Sequence, residues 1–262
     1  MNIILSTHPA DAREASQHGF PLCHMAYRIG KEFRLYRSGL GISVKGGLLS
    51  LGDYGFDEAA AYAPDLMRDL VRECTVRGFD GVVCDFEREE HPALRQFVYE
   101  AGEYLKRHGY TLTVPRAYAD AAETAHVLIS SAVTGGSFQE KLQSAFAKVG
   151  PDRAVLMIEP VATDLLMPSP DGEGETLSRT ALEALIEKEG ALPYMSQELC
   201  ACYFTYRDSA GGSHFVLFDD ARSIVKKLAA AKDMGFREAT VLYPEVRDVL
   251  DKLHELRKVP VN

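Results

Sequence analysis

The chain has 262 residues, 46% hydrophobic and 26% charged, a composition typical of a globular protein with a sizeable core. Its net charge of −9 at pH 7 argues against a nucleic-acid partner, because a protein that neutralises phosphates needs a basic surface. The apolar run at the N-terminus is too short for a signal peptide, and no stretch approaches the roughly 20 apolar residues of a membrane span. We therefore expect a cytoplasmic protein without a membrane span.

The cysteines and histidines do not form a recognisable metal motif. The cysteines are Cys23, Cys74, Cys84, Cys200 and Cys202. Their number is odd and most lie in apolar segments, so we interpret them as reduced core residues. Cys200 and Cys202 would share one strand face, but no matching pair lies nearby, and the histidines are scattered. The sequence predicts neither a metal nor a cofactor.

Strand and helix patterns alternate along most of the chain. Apolar runs predict eight strands, at residues 2–6, 22–29, 46–51, 81–86, 110–114, 127–131, 154–159 and 239–243. Helical spacing, with Ser, Asp or Pro at the start and often Gly after the end, predicts helices near Pro9 and at 64–77, 92–108, 137–149, 178–190, 221–234 and 246–257.

The pattern changes between the seventh and eighth strands. Residues 163–177 are rich in Pro, Gly and acidic residues, and we predict an irregular segment there. Residues 199–206 and 214–218 flank a segment that contains Gly211-Gly212, which predicts a β-hairpin. No repeat, low-complexity tract or linker is visible, so residues 1–262 are expected to form a single domain.

Eight strand–helix units with one inserted hairpin predict an α/β fold, a single (β/α)8 TIM barrel with the hairpin between strands seven and eight. A doubly wound parallel sheet is the alternative. It is less favoured because Ser6-Thr7-His8-Pro9 follows the first strand, where such folds place a glycine-rich phosphate-binding turn.

The fourth predicted strand ends in two carboxylates. It reads Asp80-Gly-Val-Val-Cys-Asp-Phe-Glu87. Side chains at i and i+2 leave the same face of a strand, so Val83, Asp85 and Glu87 should lie together. Charges confined to the C-terminal end of an apolar strand are typical of an active site at the mouth of an α/β barrel. The alternative is that Glu87 begins a solvated loop.

Other polar side chains follow predicted strands and would face the same mouth. They are Tyr27, Arg28, Asp53, Tyr54, Arg116, Tyr118, Glu159 and Glu245. Each also has a simpler explanation; Arg116, for example, could pair with an acid across the rim. Asp219 and Asp220 are expected to cap a helix rather than to bind a ligand.

Several of these segments resemble glycoside hydrolase family 18, the chitinase-like barrels. Residues 80–87 are similar to the D-G-x-D-x-D-x-E signature on that family's fourth strand, and residues 46–53 to its glycine-containing third strand. Residues 214–227, followed by Gly235 and a terminal strand, resemble its last helix and eighth strand. This ending is most similar to bacterial spore and peptidoglycan N-acetylglucosaminidases, where a Tyr-Asp-Asp-x-x-Ser-x-x-x-Lys run precedes the helix.

The resemblance implies a retaining, substrate-assisted mechanism. Glu87 would match the general acid that protonates the glycosidic oxygen, while the substrate's own 2-acetamido oxygen attacks the anomeric carbon. Asp85 would match the carboxylate that orients the acetamide and stabilises the oxazolinium ion, and Asp80 the structural first Asp. This chemistry needs Glu87 protonated near neutral pH, which an apolar setting and the charge of Asp85 favour.

Three features differ from the family pattern. Val83 occupies the position of the middle Asp, and residues 127–133 lack the Met-x-Tyr-Asp pattern that holds the acetamide. The chain also has no tryptophan. Tyr243 is the aromatic residue nearest to the family's indole floor, and we expect it to stack on a sugar more weakly.

Taken with the resemblance, these residues predict a glycosidase for β-linked N-acetylglucosamine glycans such as peptidoglycan or chitin-like fragments. Glu87 and Asp85 are the predicted catalytic residues. The predicted substrate-binding residues are Tyr27, Asp53, Arg116, Tyr118, Glu159, Tyr243 and Glu245.

Two alternatives stay open. An inactive glycan-binding barrel would agree with Val83 and with the absent sixth-strand Tyr. An enzyme for an anionic sugar or another acidic ligand would follow if Arg28 and Arg116 reach the mouth. The resemblance adds a spore association to the expected cytoplasmic location, and the oligomeric state is not predicted.

Overall fold

The computed structural model describes residues 1–39, 41, 43–57, 59–169 and 174–257. The strands of this part of the chain are β1 (Asn2–Thr7), β2 (Leu22–Ile29), β3 (Leu35–Arg37), β4 (Leu48–Gly52), β5 (Gly81–Asp85), β6 (Thr111–Pro115), β7 (His126–Ser130), β8 (Ala154–Met157), β9 (Ala162–Met167), β10 (Glu175–Thr176), β11 (Tyr194–Ser196), β12 (Ala201–Arg207), β13 (Ser213–Phe218) and β14 (Glu238–Leu242). Its α-helices are α1 (Ala12–Ala15), α2 (Asp65–Arg77), α3 (Pro92–Arg107), α4 (Phe138–Val149), α5 (Arg179–Glu189), α6 (Ala221–Met234), α7 (Tyr243–Val246) and α8 (Leu250–Arg257).

Eight parallel strands close into a barrel. Their order around it is β1-β2-β4-β5-β6-β7-β8-β14, and β14 pairs in turn with β1, where Glu238 lies opposite Asn2. The predicted (β/α)8 barrel is therefore confirmed. The doubly wound alternative is wrong, because an open sheet would leave two edge strands that here pair with each other.

Two connections between barrel strands lack the α-helix that eight complete strand–helix units would require. Between β2 and β4 the described residues form a 3₁₀ turn, Lys31–Phe33, and the short strand β3, which runs antiparallel to β2. Between β6 and β7 they form a 3₁₀ turn, Arg116–Tyr118. The Arg153 guanidinium stabilises the second connection, since it donates hydrogen bonds of 2.7–3.0 Å to three of its backbone carbonyls.

Three helices begin at capping residues that the sequence indicates. Ser137 and Ser178 each accept a hydrogen bond from a first-turn amide, of α4 and α5 respectively. Asp220 caps α6 in a reciprocal capping box with Ser223, and Gly235 ends that helix with φ +102°, a conformation that favours glycine. Within the described ranges no helix has the length and apolar character needed to cross a membrane.

The outer faces of the barrel strands pack into two cores. The first lies between strands β2 to β6 and helices α2 and α3, with Leu70 and Phe97 fully buried. The second joins β1, β7, β8 and β14 to α4, α6 and α8, with Leu156 and Leu228 fully buried. Burying each of these side chains stabilises the fold by about 1.5–3 kcal/mol, so the helical layer holds the barrel strands in place.

The insertion between β8 and β14 is larger than the predicted hairpin. β12 and β13 do pair antiparallel, from Cys202 opposite Phe218 to Arg207 opposite Ser213. They belong, however, to a five-stranded sheet of order β10-β9-β13-β12-β11, against which α5 packs through Leu182. All of β10, and all of β9 except Ala162, fall within residues 163–177, so the prediction of an irregular segment is wrong there; residues 170–173 lie outside the described residues.

The cysteines are all free thiols, and four of the five are buried. Cys200 precedes β12 and has a positive φ of 53°, so it does not share a strand face with Cys202. Cys202 lies in the core of the insertion, whereas Cys200 packs against the second barrel core. The described ranges contain no group of three or more His, Cys, Asp or Glu side chains that could hold a metal ion.

Candidate functional site

Strand β5 sends alternate side chains to opposite sides of the barrel wall. Val82 and Cys84 are buried in the first core, whereas Val83 and Asp85 face the interior. Glu87, two residues beyond Asp85, lines the same interior cavity. The predicted common face of Val83, Asp85 and Glu87 is therefore confirmed.

Two cavities meet at the C-terminal end of the barrel. The mouth cavity has a volume of about 280 Å³ and is enclosed by the ends of the barrel strands. Its polar lining consists of Ser6, Ser50, Asp85, Glu87, Glu159 and Thr240, with Cys23 among the other residues. A larger cleft of about 670 Å³ lies between the ends of β5, β6 and β7 and helix α4. Asp85 and Glu87 line both spaces, so the two carboxylates stand at their junction.

Asp85 has little stabilisation for its negative charge. Its side chain opens to the cavity, but the surrounding wall removes enough water to raise the pKa of the carboxyl, and the charge of Glu87 raises that pKa further. Ser50 Oγ, 3.5 Å from Oδ2, opposes the shift as a hydrogen-bond donor. Asp53 and Glu159 add smaller repulsive contributions. Asp85 therefore holds a proton more tightly than an ordinary aspartate.

Glu159 brings a third carboxylate to the mouth. It follows β8, and its Oε2 accepts a hydrogen bond of 2.6 Å from Ser130 Oγ at the end of β7. Its backbone N–H donates to Ser131 Oγ at 3.0 Å. These two bonds hold Glu159 on the wall of the mouth cavity, close enough for its charge to act on Asp85.

Asp53 clamps the loop that carries Glu87. Its carboxylate is fully buried and accepts hydrogen bonds from the backbone N–H groups of Glu87 (3.0 Å) and Arg88 (3.2 Å). The Arg88 guanidinium pairs with the same carboxylate at 3.1 Å and donates to the Asp53 carbonyl at 3.0 Å. The Tyr118 hydroxyl donates to the Arg88 carbonyl at 2.9 Å. The clamp fixes the backbone of Glu87, while the Glu87 side chain lines both cavities.

The structure does not bring the predicted substrate-binding residues Asp53 and Tyr118 to the surface of either cavity. Both side chains have no exposed surface. Burial raises the pKa of Tyr118 to about 12, with a further contribution from the charge of Asp53, so the phenol stays protonated as a donor. Both side chains instead form hydrogen bonds with the backbone of the loop that carries Glu87.

Tyr27 also lies away from the mouth, because β2 contains a bulge. Between the pairs His24–Leu49 and Tyr27–Leu51, β2 advances three residues while β4 advances two. The extra residue reverses the alternation of side chains and turns Tyr27 toward α2, where its hydroxyl donates to Glu73 at 2.9 Å. The structure therefore does not bring Tyr27, a predicted substrate-binding residue, to the mouth cavity.

Tyr243 and Glu245 lie beyond β14 and do not line the mouth cavity. Leu242 does line it, so the next residue, Tyr243, points outward and donates to Glu14 at 2.7 Å. Glu245 lies 3.9 Å from the Arg179 guanidinium of α5, a contact that joins the barrel to the insertion. The structure therefore does not bring these two predicted substrate-binding residues to the mouth cavity.

Arg116 is exposed at the end of β6 and lines the larger cleft, together with Lys141 and Lys148 of α4. Within the residues that the structure describes, its guanidinium has no ion-pair partner, so the pairing across the rim that could explain it is not formed. Arg116 therefore gives the cleft a positive charge close to Asp85 and Glu87.

Cys23 places a thiol on the wall of the mouth cavity. Burial, and the charge of Asp85, raise the pKa of this thiol to about 12. A thiol that stays protonated is a poor nucleophile. The Cys23 thiol is therefore a weaker candidate for the chemistry of the mouth than the carboxylates.

Sequence reasoning missed three contributors to the site. Ser50 and Ser130 occupy inward positions near strand ends, and the alternation of β4 and β7 could have identified them. Arg88 belongs to a run of charges that reads as a solvated loop, and no local pattern shows that it pairs with a buried acid.

The run from Asp219 to Lys227 proves structural. Asp219 and Lys227 are both fully buried and pair at 2.7 Å. Asp219 also accepts hydrogen bonds from the Val161 N–H (3.0 Å) and Ser223 Oγ (2.6 Å). Asp219 thus joins the start of the insertion to α6, and Asp220 is the helix cap.

No family model matches this sequence, and no curated protein matches it. Solved structures do match. A class V chitinase from Pseudomonas fluorescens Pf-5 is 15% identical, with a TM-score of 0.69 over 98% of this chain and 99% of that one. A family 18 N-acetylglucosaminidase from Paenibacillus barengoltzii is 17% identical, with a TM-score of 0.68 over 97% and 99%. The spore cortex-lytic enzyme SleL of Bacillus megaterium QM B1551 is 16% identical, with a TM-score of 0.63 over 96% of this chain and 73% of that one.

These matches, at 15–17% identity, define the fold. The chain has the TIM-barrel fold of these three proteins. The similarity of fold covers almost the whole chain.

Proposed function

We propose that the protein is a glycosidase that cleaves β-linked N-acetylglucosamine glycans, with Glu87 and Asp85 as its catalytic residues. The observation that carries the proposal is their position. Both carboxylates end the β5 face at the junction of the mouth cavity and the larger cleft, so a glycan lying across both spaces passes them. The catalytic groups of TIM-barrel enzymes lie at this end of the strands.

Glu87 donates its proton to the glycosidic oxygen as the bond to the anomeric carbon breaks. The 2-acetamido oxygen of the substrate attacks that carbon, and the resulting oxazolinium ion carries the positive charge. Water then attacks the anomeric carbon, which opens the oxazolinium ring, and gives a proton back to Glu87. The configuration at the anomeric carbon is therefore retained. The Asp53 clamp on the loop holds Glu87 in place through both steps.

Asp85 has the properties that the intermediate requires. In the free protein its charge is poorly compensated, and its pKa is raised. A cationic oxazolinium beside it relieves the repulsion from Glu87, so the interaction is stronger in the charged intermediate than in the ground state. With Val83 in the interior, Glu159 adds a further negative charge to the same wall.

The relatives narrow the substrate class within this proposal. The neighbours named above are a chitinase, an N-acetylglucosaminidase and a spore cortex-lytic enzyme. They support a glycan that contains N-acetylglucosamine, and the similarity to a spore cortex-lytic enzyme agrees with the expected spore association.

The test compares wild type with Glu87→Gln on fluorogenic N-acetylglucosaminides and purified muropeptides. Loss of the general acid should lower kcat/KM by about 10²–10⁴-fold. Glu90→Gln, on the same loop but lining neither of the two site cavities, is the matched control and should retain activity. Equal turnover by wild type and Glu87→Gln would reject the proposal.

A glycan-binding barrel without turnover is the second candidate. Val83 in the interior and Ser130, Ser131 and Ala132 at the end of β7 favour it, because neither place offers the groups expected to hold an acetamide. Calorimetric binding of N-acetylglucosamine oligomers without turnover would select this function over the first.

A further inference from the structure

We propose that Arg28, with Tyr36 and Tyr54, forms a subsite at the barrel rim for a carboxylate carried by the glycan. The inference rests on the proposed function, since it specifies which N-acetylglucosamine glycan the mouth accepts. The preferred ligand is an oligomer in which a sugar beside the reacting one bears an anionic carboxylate substituent.

The first argument is position. The bulge in β2 that turns Tyr27 outward places Arg28 opposite Gly52 of β4, and Gly52 lies opposite Asp85 of β5. Residues paired in register point to the same face of a sheet, so Arg28 and Asp85 belong to one inward row. With neighbouring strands about 4.8 Å apart, their Cα atoms are about 10 Å apart. An oligosaccharide lying across the mouth can therefore reach both.

The second argument is that two glycines make room for the subsite. A Cβ atom on Gly30 would lie 2.3 Å from the Tyr36 ring, and one on Gly52 would lie 3.0 Å from the Tyr54 ring. Without those atoms the Tyr36 ring lies over Gly30, just after β2, and the Tyr54 ring lies over Gly52 of β4. The guanidinium carbon is 5.1 Å from the centre of the Tyr36 ring and 5.4 Å from that of Tyr54. The two rings hold the guanidinium in place before any ligand binds.

The third argument is charge. Arg28 is half-buried, and within the described ranges no carboxylate lies within ion-pairing distance of it. Nearby arginines are paired, Arg34 with Asp65 at 2.8 Å and Arg88 with Asp53 at 3.1 Å. The centre of the mouth carries Asp85, Glu87 and Glu159 and would repel an anionic group. A carboxylate on the glycan is thus excluded from the centre and attracted to the rim.

The chemistry of the three side chains fits this ligand. A guanidinium presents a planar fork of donors that matches a carboxylate with two parallel hydrogen bonds. The two tyrosines are 41% and 55% exposed, so their free faces and hydroxyl groups are available to the sugar that carries the acid. A neutral oligomer would meet the rings but leave the guanidinium without a partner.

Calorimetry with two oligomers of equal length tests the subsite. One is the neutral N-acetylglucosamine oligomer, and the other has a carboxylate-bearing ether on alternate sugars. Titrations use Glu87→Gln protein, in which turnover is suppressed, with and without Arg28→Gln. We expect Arg28→Gln to weaken the anionic oligomer about tenfold or more and the neutral oligomer less than twofold.

Two further variants and the salt dependence sharpen this result. Arg28→Lys keeps the charge but not the fork and should lose part of the preference. Arg72→Gln, on the exposed face of α2, should change neither affinity. The preference should decrease at high salt, as expected for a partly exposed charge pair. Equal weakening of both oligomers, no effect of Arg28→Gln, or no binding of either oligomer would overturn the inference.

The outcome is separable from that of the proposed function. Turnover of the neutral oligomer by wild type and not by Glu87→Gln supports the hydrolase, whatever Arg28 does. Binding that depends on Arg28, without turnover by wild type, supports the subsite and rejects the hydrolase.

Discussion

Two buried carboxylates outside the mouth, Asp53 and Asp219, have different surroundings from the carboxylates in the barrel mouth. Asp53 and Asp219 are fully buried, and each has a cation beside it, Arg88 at 3.1 Å and Lys227 at 2.7 Å, together with hydrogen-bond donors. The mouth acids share a cavity, and the structure describes no cation paired with them.

The difference separates two uses of the same functional group. A buried acid with a complete set of donors fixes one backbone arrangement, and its loss leaves a charge without compensation. Acids crowded without a cation raise the cost of ionisation, and a proton or a positively charged intermediate relieves it. The first kind should control stability, and the second should control activity.

The largest stability effect is expected for Lys227→Met. The substitution keeps the apolar stem but leaves Asp219 as a buried acid without its cation, which should cost about 3–5 kcal/mol in the free energy of unfolding. Denaturant titration measures this. Lys226→Met, on the exposed side of the same helix, is the control and should change stability by less than about 0.5 kcal/mol. A similar small effect for Lys227→Met would show that the buried pair is not a structural lock.

Asp53→Asn should cost less, about 1.5–3 kcal/mol, because the amide keeps one acceptor oxygen while the charge-assisted bonds from Arg88 are lost. Unlike the first variant it should also lower kcat on N-acetylglucosaminides, since the clamp positions Glu87. Asp233→Asn, exposed on α6, should alter neither. Full activity in a destabilised Asp53→Asn protein would separate the clamp from catalysis.

The pair of His214 and Asp164 in the insertion is an intermediate case, because its cation, the protonated imidazole of His214, is titratable. Its Nδ1 lies 2.8 Å from Asp164, and this hydrogen bond is the main cause of the raised pKa of the imidazole. The contribution is full below the ordinary pKa of about 6.5 and is lost as the pH rises through the raised folded-state pKa. His214→Gln should therefore cost up to about 1 kcal/mol at pH 6 and much less at pH 9.

Thermal unfolding of both proteins at the two pH values checks this, with His8→Gln as the control on an exposed histidine. An equal loss of stability at pH 6 and pH 9 would mean that packing, not charge, is the contribution of His214.

The smallest stability effect is expected for Asp85→Asn, within about 0.5 kcal/mol, although activity should be lost. The folded protein raises the pKa of Asp85, so it binds this proton more tightly than the unfolded chain does. Wild type should lose stability relative to the variant as the pH rises from the unfolded-state pKa through the folded-state pKa. Unfolding curves from pH 3 to pH 8 measure the difference, and a strongly destabilised Asp85→Asn at pH 7 would contradict the comparison.

The alternation of side chains between the two faces of a strand predicted the faces of β5 correctly, because that strand is regular. Alternation places Asp85, at the end of the strand, and Glu87, two residues beyond it, on the same face. The same rule accounts for Tyr243, whose neighbour Leu242 faces the mouth, and for Asp53, whose neighbour Gly52 is in register with Asp85. Each residue follows an inward position and therefore points outward.

Other parts of the site depend on long-range pairing that local sequence does not encode. The bulge that exchanges Tyr27 for Arg28 is a property of the register between β2 and β4. The strand β9 forms in a Pro- and Gly-rich segment because β13 offers it a hydrogen-bonding edge. Alternation predicts which face each side chain takes within a regular strand. It fails where pairing with a second strand introduces a bulge.

The barrel is closed by the ladder between β1 and β14, which pairs Asn2 with Glu238 across almost the entire chain. The kinetics of folding follow from this. Contacts of such high sequence separation form late, because the loop-closure entropy precedes any gain from the pairing. During synthesis the free edge of β1 stays unpaired until residue 242 has emerged, and unpaired strand edges promote association between chains. The yield of folded protein should therefore depend most on whether β14 pairs with β1 before another chain does. That step comes after almost the whole chain has been made.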